Sequence, residues 1–255
     1  MKKPTRQADS AARLRSMHDR LVAAYGPQHW WPADSGFEII LGAYLTQNTA
    51  WKAVKRSLAN LRAAGVFTVD SLRAISVGDL QSLIRPSGFH TRKAPALKAF
   101  VSMLDQDFAG SLESLAAAPA AALRPRLLAL PRVGPETADA ILLYALGHPV
   151  PVADEYLRRI AERHRLLANS RGFKGYDSLA ELTRSAFASD SEAAHAQLFN
   201  EFHALIVAVG KTHCGRIAKC AGCPLAADLE IANILIEGDK PSSSYSIATL
   251  HKANE

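Results

Sequence analysis

The chain has 255 residues, 48% of them apolar, which allows a sizeable core in one large domain or two small ones. Charged residues make up 21%, ordinary for a soluble globular protein, and no apolar run reaches the roughly 18–20 residues needed to span a bilayer. The net charge of +6 favours a polyanionic partner such as nucleic acid over a membrane.

The N-terminal stretch "MKKPTRQADSAARLRSMHDRL" is basic, but no apolar h-region follows it, so it does not read as a secretory signal. The expected location is the cytoplasm, with the nucleoid. Residues 10–25 carry Leu14, Met17, Leu21 and Val22 at helical spacing. Residues 37–46, "FEIILGAYLT", are apolar almost all round and predict a buried central helix. "WKAVKRSLANLRAAG" is amphipathic, with Val54, Leu58 and Leu61 on one face and Gly65 as its C-cap. "SVGDLQSLIRPSG" predicts a short helix stopped by Pro86 and Gly88, and "TRKAPALKAFVSMLDQDF" predicts a longer one, with Pro95 acceptable in a first turn. Further helices are expected near 111–117, 119–129, 135–146, 153–167, 175–188 and 192–209. No period-2 strand stands out, so the fold class is all-α, with many short helices in a non-bundle arrangement. The stretch "EGDKPSSSYSIATLHKANE" is polar with a serine cluster, and residues 231–255 are expected to form a flexible tail.

The stretch "LRPRLLALPRVGPETADAILLYALG" is the most informative. Leu123 to Leu130 form a helix that Pro131 ends, Gly134 allows a tight backbone that a Cβ would obstruct, and Pro135 and Glu136 open the next helix. N–H groups of such a turn, in Arg132, Val133, Gly134, Glu136 and Thr137, suit a DNA phosphate and position the duplex without reading bases. An ordinary αα-hairpin has the same outline. Downstream, Asp154 stands at the start of a helix, where it suits an N-cap as well as a catalytic carboxylate. The three cysteines, Cys214, Cys220 and Cys223, lie within ten residues. An odd number so close together argues for a metal or cluster site and against a disulfide framework.

"LPRVGPETADAILLYALGHPVPVADEYLRRI", with "LGAYLTQNTAWKAV" and "RPSGFHTRKA", resembles the endonuclease III-like helix-hairpin-helix DNA glycosylases over roughly residues 30–225. The resemblance implies a two-lobed fold with the DNA cleft between the lobes. A six-helix barrel-like domain, 36–150, would contain the hairpin at 123–146. A second helical domain would join 1–35 to 151–230, with the Cys loop at 213–229. The implied partner is double-stranded DNA with a damaged base, bound by a monomer. Gln47 matches the glutamine that enters DNA, and Asp154 falls on the catalytic carboxylate, which stabilises an oxocarbenium-like sugar and orients water. Bifunctional members carry a lysine where this chain has Glu136, and a carboxylate cannot form a Schiff base. The resemblance therefore implies a monofunctional enzyme, and Lys52, Lys93 and Lys211 do not fall on that position. Glu136 either caps its helix or borders the base pocket. "WWP" beside "LTQNTAW" is similar to the 3-methyladenine glycosylase branch and makes Trp31, Pro32 and Trp51 candidates for stacking on a flipped, cationic purine.

Many relatives hold a [4Fe–4S] cluster with C-x6-C-x2-C-x5-C. Here the first gap is one residue short and Leu229 stands at the fourth position. His213 is the candidate fourth ligand, either for a cluster or for zinc in a Cys3His set. The competing expectations are a glycosylase for a deaminated or mismatched base, and a DNA-binding protein without catalysis.

Overall fold

The computed structural model describes residues 6–31, 33–167, 172–187 and 191–229. The expected tail at 231–255 lies outside these residues, and so does Pro32. Among the described residues the chain is helical throughout, with one isolated antiparallel bridge between Cys214 and Ala218. The helices are α1 (Arg6–Tyr25), α2 (Gly36–Thr46), α3 (Trp51–Ala63), α4 (Val69–Ala74), α5 (Val77–Leu83), α6 (His90–Phe108), α7 (Leu112–Ala117), α8 (Ala120–Leu128), α9 (Pro135–Ala140), α10 (Glu155–Arg163), α11 (Gly172–Ala186) and α12 (Glu192–Thr212).

Local chemistry sets most of the starts. Ser35, Ser76, Ser111 and Ser191 each accept the N–H three residues on, satisfying a donor that the first turn leaves free. Thr68 and Ser71 form a reciprocal capping box at α4, a six-residue helix that the apolar pattern does not announce. Pro95 lies in the sixth position of α6, beyond the first turn expected for it. It leaves the Thr91 carbonyl without a helical donor, and Thr91 is exposed, so water can serve. The helix expected over 135–146 divides: α9 ends at Ala140, and Ile141–Ala145 winds as a π-helical segment.

The helices bury two separate apolar clusters. The first is built on α2 to α9 and includes Leu41, Tyr44, Leu58, Leu97, Phe100, Leu104 and Leu127. The second takes Leu14, Met17 and Leu21 of α1, Leu157 and Ile160 of α10, Leu179 and Leu182 of α11, and Phe199, Phe202 and Leu205 of α12. The chain from Ala138 to Leu143 serves both: Ala138, Ile141 and Leu142 enter the first, Ala140 and Leu143 the second. The second hairpin helix is thus the spine between them.

Candidate active site

The hairpin joins α8 to α9. Its left-handed residue is Arg132, with φ 67. Gly134 has an ordinary φ of −97, and a Cβ there would meet nothing within 4 Å. The expectation that a side chain at Gly134 would collide within the chain is therefore corrected: the space beside it is open. Val133 is buried in the first core, and the amide of Gln47 donates to the Arg132 carbonyl at 2.8 Å and to Thr137 Oγ1 at 3.0 Å. Gln47 thus lies against the hairpin and bridges its two sides.

Asp154 caps α10, its Oδ1 accepting from the Leu157 N–H at 2.8 Å. Its other oxygen, Oδ2, faces His203 Nε2 of α12 at 3.6 Å. On its far side, His203 Nδ1 meets the Tyr144 hydroxyl at 2.5 Å. Asp154 and His203 are 6% and 7% exposed. Glu136 stands near both: crowding by protein pushes its carboxyl up to about 7, and the Asp154 charge adds to the rise. One side of Glu136 stays open to solvent. A second chain of bonds holds the loop before α10. Arg124 of α8 pairs with buried Asp139 at 2.8 Å, Asp139 bonds the Tyr176 hydroxyl, and that hydroxyl accepts from the Ala153 N–H at 3.3 Å. Burial raises Asp139, and Arg124 opposes that rise.

The tryptophans converge here. Trp31 meets Trp51 edge-on at 5.5 Å and Tyr144 at 5.3 Å. A Cβ at Gly42 would come within 3.0 Å of the Trp31 ring, so a glycine in α2 makes room for it. Trp30 lies stacked on His203 at 5.9 Å and carries Lys211 over its ring. Trp30 is thus engaged by its neighbours, and Trp31 and Trp51 pack against each other.

Two exposed residues mark tight turns, Asn48 just after α2 and Phe89 just before α6. Asn48 and Phe89 both have positive φ, and Phe89 is 50% exposed. Buried Lys93 ties the loops beneath them, donating to the Leu45 and Ser87 carbonyls and to Thr49. Burial lowers the Lys93 amine to about 8, with a smaller contribution from Arg132. Its three bonds give it a local structural role.

A family model described as HhH-GPD superfamily base excision DNA repair protein matches residues 41–185, more than half of the chain. The chain belongs to this superfamily. This HhH-GPD protein is 36% identical over 207 residues, 80% of itself and 90% of the relative, to a Methanocaldococcus jannaschii protein assigned as a DNA repair glycosylase. It superposes with a TM-score of 0.67 and 29% identity on a Helicobacter pylori 3-methyladenine DNA glycosylase bound to 1,N6-ethenoadenine, covering 80% of this chain and 97% of that one. A non-covalent endonuclease III–DNA complex shares the fold at a TM-score of 0.71 and 19% identity, over 92% and 99% of the two chains. The HhH-GPD chain is accordingly a DNA glycosylase of base excision repair, and no described helix is long and apolar enough to cross a membrane.

The Cys loop lies apart from these carboxylates. Cys214, Cys220 and Cys223 line one cavity with His213 and Leu229. Cys214 Sγ accepts from Arg163 at 3.0 Å, and Cys220 is exposed. A [4Fe–4S] cluster is held by four ligands, commonly four thiolates. Among the described residues no three or more His, Cys, Asp or Glu side chains are arranged to hold a metal ion. Three thiols without a fourth ligand do not fit the cluster. What fastens the loop is a buried polar knot: Asp228 takes Arg13 at 2.6 Å and His164 at 2.8 Å.

Sequence reasoning did not reach His203, Tyr144, Asp139 or Tyr176. His203 sits in an apolar helix face and Tyr144 in an apolar run, where each reads as core. Only the fold brings them to Asp154.

Proposed function

We propose that this protein is a monofunctional glycosylase that hydrolyses the N-glycosidic bond of alkylated purines, of the 3-methyladenine type, in duplex DNA. The observation that carries this reading is the pair of carboxylates at the hairpin. Glu136 occupies the position where a lysine would attack C1′, and it stands beside Asp154. Lys93 is buried under three bonds of its own, and Lys211 lies over Trp30.

The chemistry then runs through water. As the bond from C1′ to the purine lengthens, positive charge builds on the sugar, and the Asp154 carboxylate opposes it. Water attacks C1′ and gives its proton to Asp154. The bond's electron pair leaves with the base, so a cationic alkylated purine departs neutral. Such a bond is already weakened, and modest catalysis suffices. Trp31 and Trp51 supply electron-rich faces for the cation, and Pro32 belongs to the same proposed wall by its place in the sequence. Near neutral pH Glu136 exists in both protonation states. Its protonated form offers a donor to the flipped base without a second full negative charge.

DNA docking follows from the hairpin. The backbone around Arg132, Val133, Gly134, Glu136 and Thr137 would meet a phosphate, and the open space at Gly134 lets it approach. Phe89 suits an apolar wedge that holds the stack open. Gln47 would meet the DNA from the hairpin side.

The test is a panel of duplexes, each with one N-alkylated, deaminated or mismatched base, with base release and strand nicking scored separately. The expected result is release of the alkylated purine alone with the strand left intact. Preferential release of a deaminated or mismatched base would overturn the substrate assignment. No release from any duplex would support a DNA-binding protein without catalysis.

A further inference from the structure

We infer that His203 is a positioning residue that fixes the free oxygen of Asp154, with Tyr144 locking its tautomer. The inference rests on the reading of Asp154 as the catalytic carboxylate, and goes beyond it by assigning how that group is held.

Oδ1 of Asp154 is committed to the Leu157 N–H, which sets the carboxyl plane but leaves Oδ2 to be placed. The side chain nearest Oδ2 with a nitrogen aimed at it is His203, through Nε2. At 3.6 Å this contact is just beyond hydrogen-bond length, and such contacts often tighten when substrate binds. Nε2 must carry the proton, since a lone pair aimed at a carboxylate would be repelled. In the neutral ring Nδ1 is then an acceptor, and it needs a donor. Tyr144 is that donor: burial pushes its hydroxyl well above the usual range, and the charges of Asp154 and Glu201 push it further. The proton therefore stays on Tyr144, and the tautomer is fixed by chemistry on both sides of the ring.

The ring plane is fixed as well. Trp30 lies parallel to His203, with 14° between the planes, and the loop carrying Trp30 is tied to α12 because Glu201 accepts from the Gln28 and His29 N–H groups. Tyr144 reaches His203 from the π-helical segment Ile141–Ala145. Such segments often mark functional positions in helices. Tyr144 also touches Trp31, so the aromatic wall and the carboxylate share one rigid path: Trp31, Tyr144, His203, Asp154. A base stacked on the wall and an oxygen placed at C1′ would thus be held in register.

Four variants test this under single-turnover conditions on a duplex with one N-alkylated purine, measuring release rate and duplex Kd together. His203→Phe keeps a ring beside Trp30 and removes both nitrogens. It is expected to slow release by about 10–100-fold, the scale of a small misplacement of a catalytic group, with Kd within about threefold. His203→Gln returns an N–H close to the Nε2 position and is expected to recover most of that rate. Tyr144→Phe frees the tautomer and is expected to cost about 3–10-fold in rate alone. Asp154→Asn is the control for the underlying reading. His203→Phe releasing base at the wild-type rate, while Asp154→Asn is inactive, would overturn this inference and leave that reading standing. Active Asp154→Asn would overturn the reading itself. His203→Gln as slow as His203→Phe, or a loss seen in Kd and not in rate, would also overturn the inference. Where His203→Phe fails to fold, Tyr144→Phe at the wild-type rate does so.

Discussion

Asparagine caps a helix about as well as aspartate, so replacing Asp154 by Asn keeps the bond to Leu157 while removing the charge. Base release is expected to fall by about 10²–10⁴-fold with duplex affinity unchanged or tighter, measured by single-turnover release and by fluorescence anisotropy. Glu136 gives a pH signature. Its carboxyl is raised in the fold to about 7, above the ordinary value near 4.3, so the folded state binds the extra proton. Stability from this group is full below the unfolded value and falls as pH rises through about 7. Thermal melts of wild type and Glu136→Gln between pH 5 and 8, in roughly the window set by those two values, are expected to show the wild type losing more stability toward the basic end. Both carboxylates were singled out through the family resemblance, Glu136 at the start of the second hairpin helix and Asp154 after it. Gly134 was legible as a turn marker for the wrong reason: its neighbours leave its Cβ position empty, and Arg132 takes the left-handed conformation. His203 was not legible, because its partners come from helices remote in the chain.

Helix ends followed from Ser and Thr caps, which act over three residues and can be read locally. The six-residue α4 was missed because so short a segment carries too little periodicity, although its capping box is present in the sequence. The π-helical turn at Ile141–Ala145 lies where the chain contributes to both cores, and the apolar pattern of the sequence does not announce it. Between elements, Lys93 is the main tie among α2, α6 and the turn at Ser87. Lys93→Met is expected to leave the Leu45 and Ser87 carbonyls without that donor and to cost about 2–4 kcal/mol. Urea unfolding followed by circular dichroism measures it, and a loss under about 0.5 kcal/mol would show that the carbonyls find other partners.

The two cores meet along the second hairpin helix, and the candidate carboxylates lie at that junction. The all-α class was legible from periodicity, whereas the division into two cores came with the family resemblance. The three cysteines signalled a site by spacing alone. They lack a fourth thiolate, since Leu229 stands at that position in the sequence, and the buried knot at Asp228 fastens the same loop. Burial works against the Asp228 carboxylate, but bonds from His164 and Arg13 outweigh it and lower its pKa. Its stabilisation is therefore present above the unfolded carboxylate value and lost in acid. Asp228→Ala is expected to cost about 3–5 kcal/mol at neutral pH, read from urea melts, because it strands a buried guanidinium. The +6 charge has its own consequence. With about four phosphates contacted, duplex affinity is expected to drop by roughly two orders of magnitude between 50 and 200 mM salt.

On the proposed mechanism, Glu136 in place of a lysine leaves water as the nucleophile and Asp154 as the group that directs it. Borohydride trapping on a duplex with one N-alkylated purine tests this most directly, with base release and nicking followed in the same reaction. Released base, an intact abasic strand and no covalent adduct are expected. A trapped enzyme–DNA adduct, or nicking that keeps pace with base release, would contradict that mechanism.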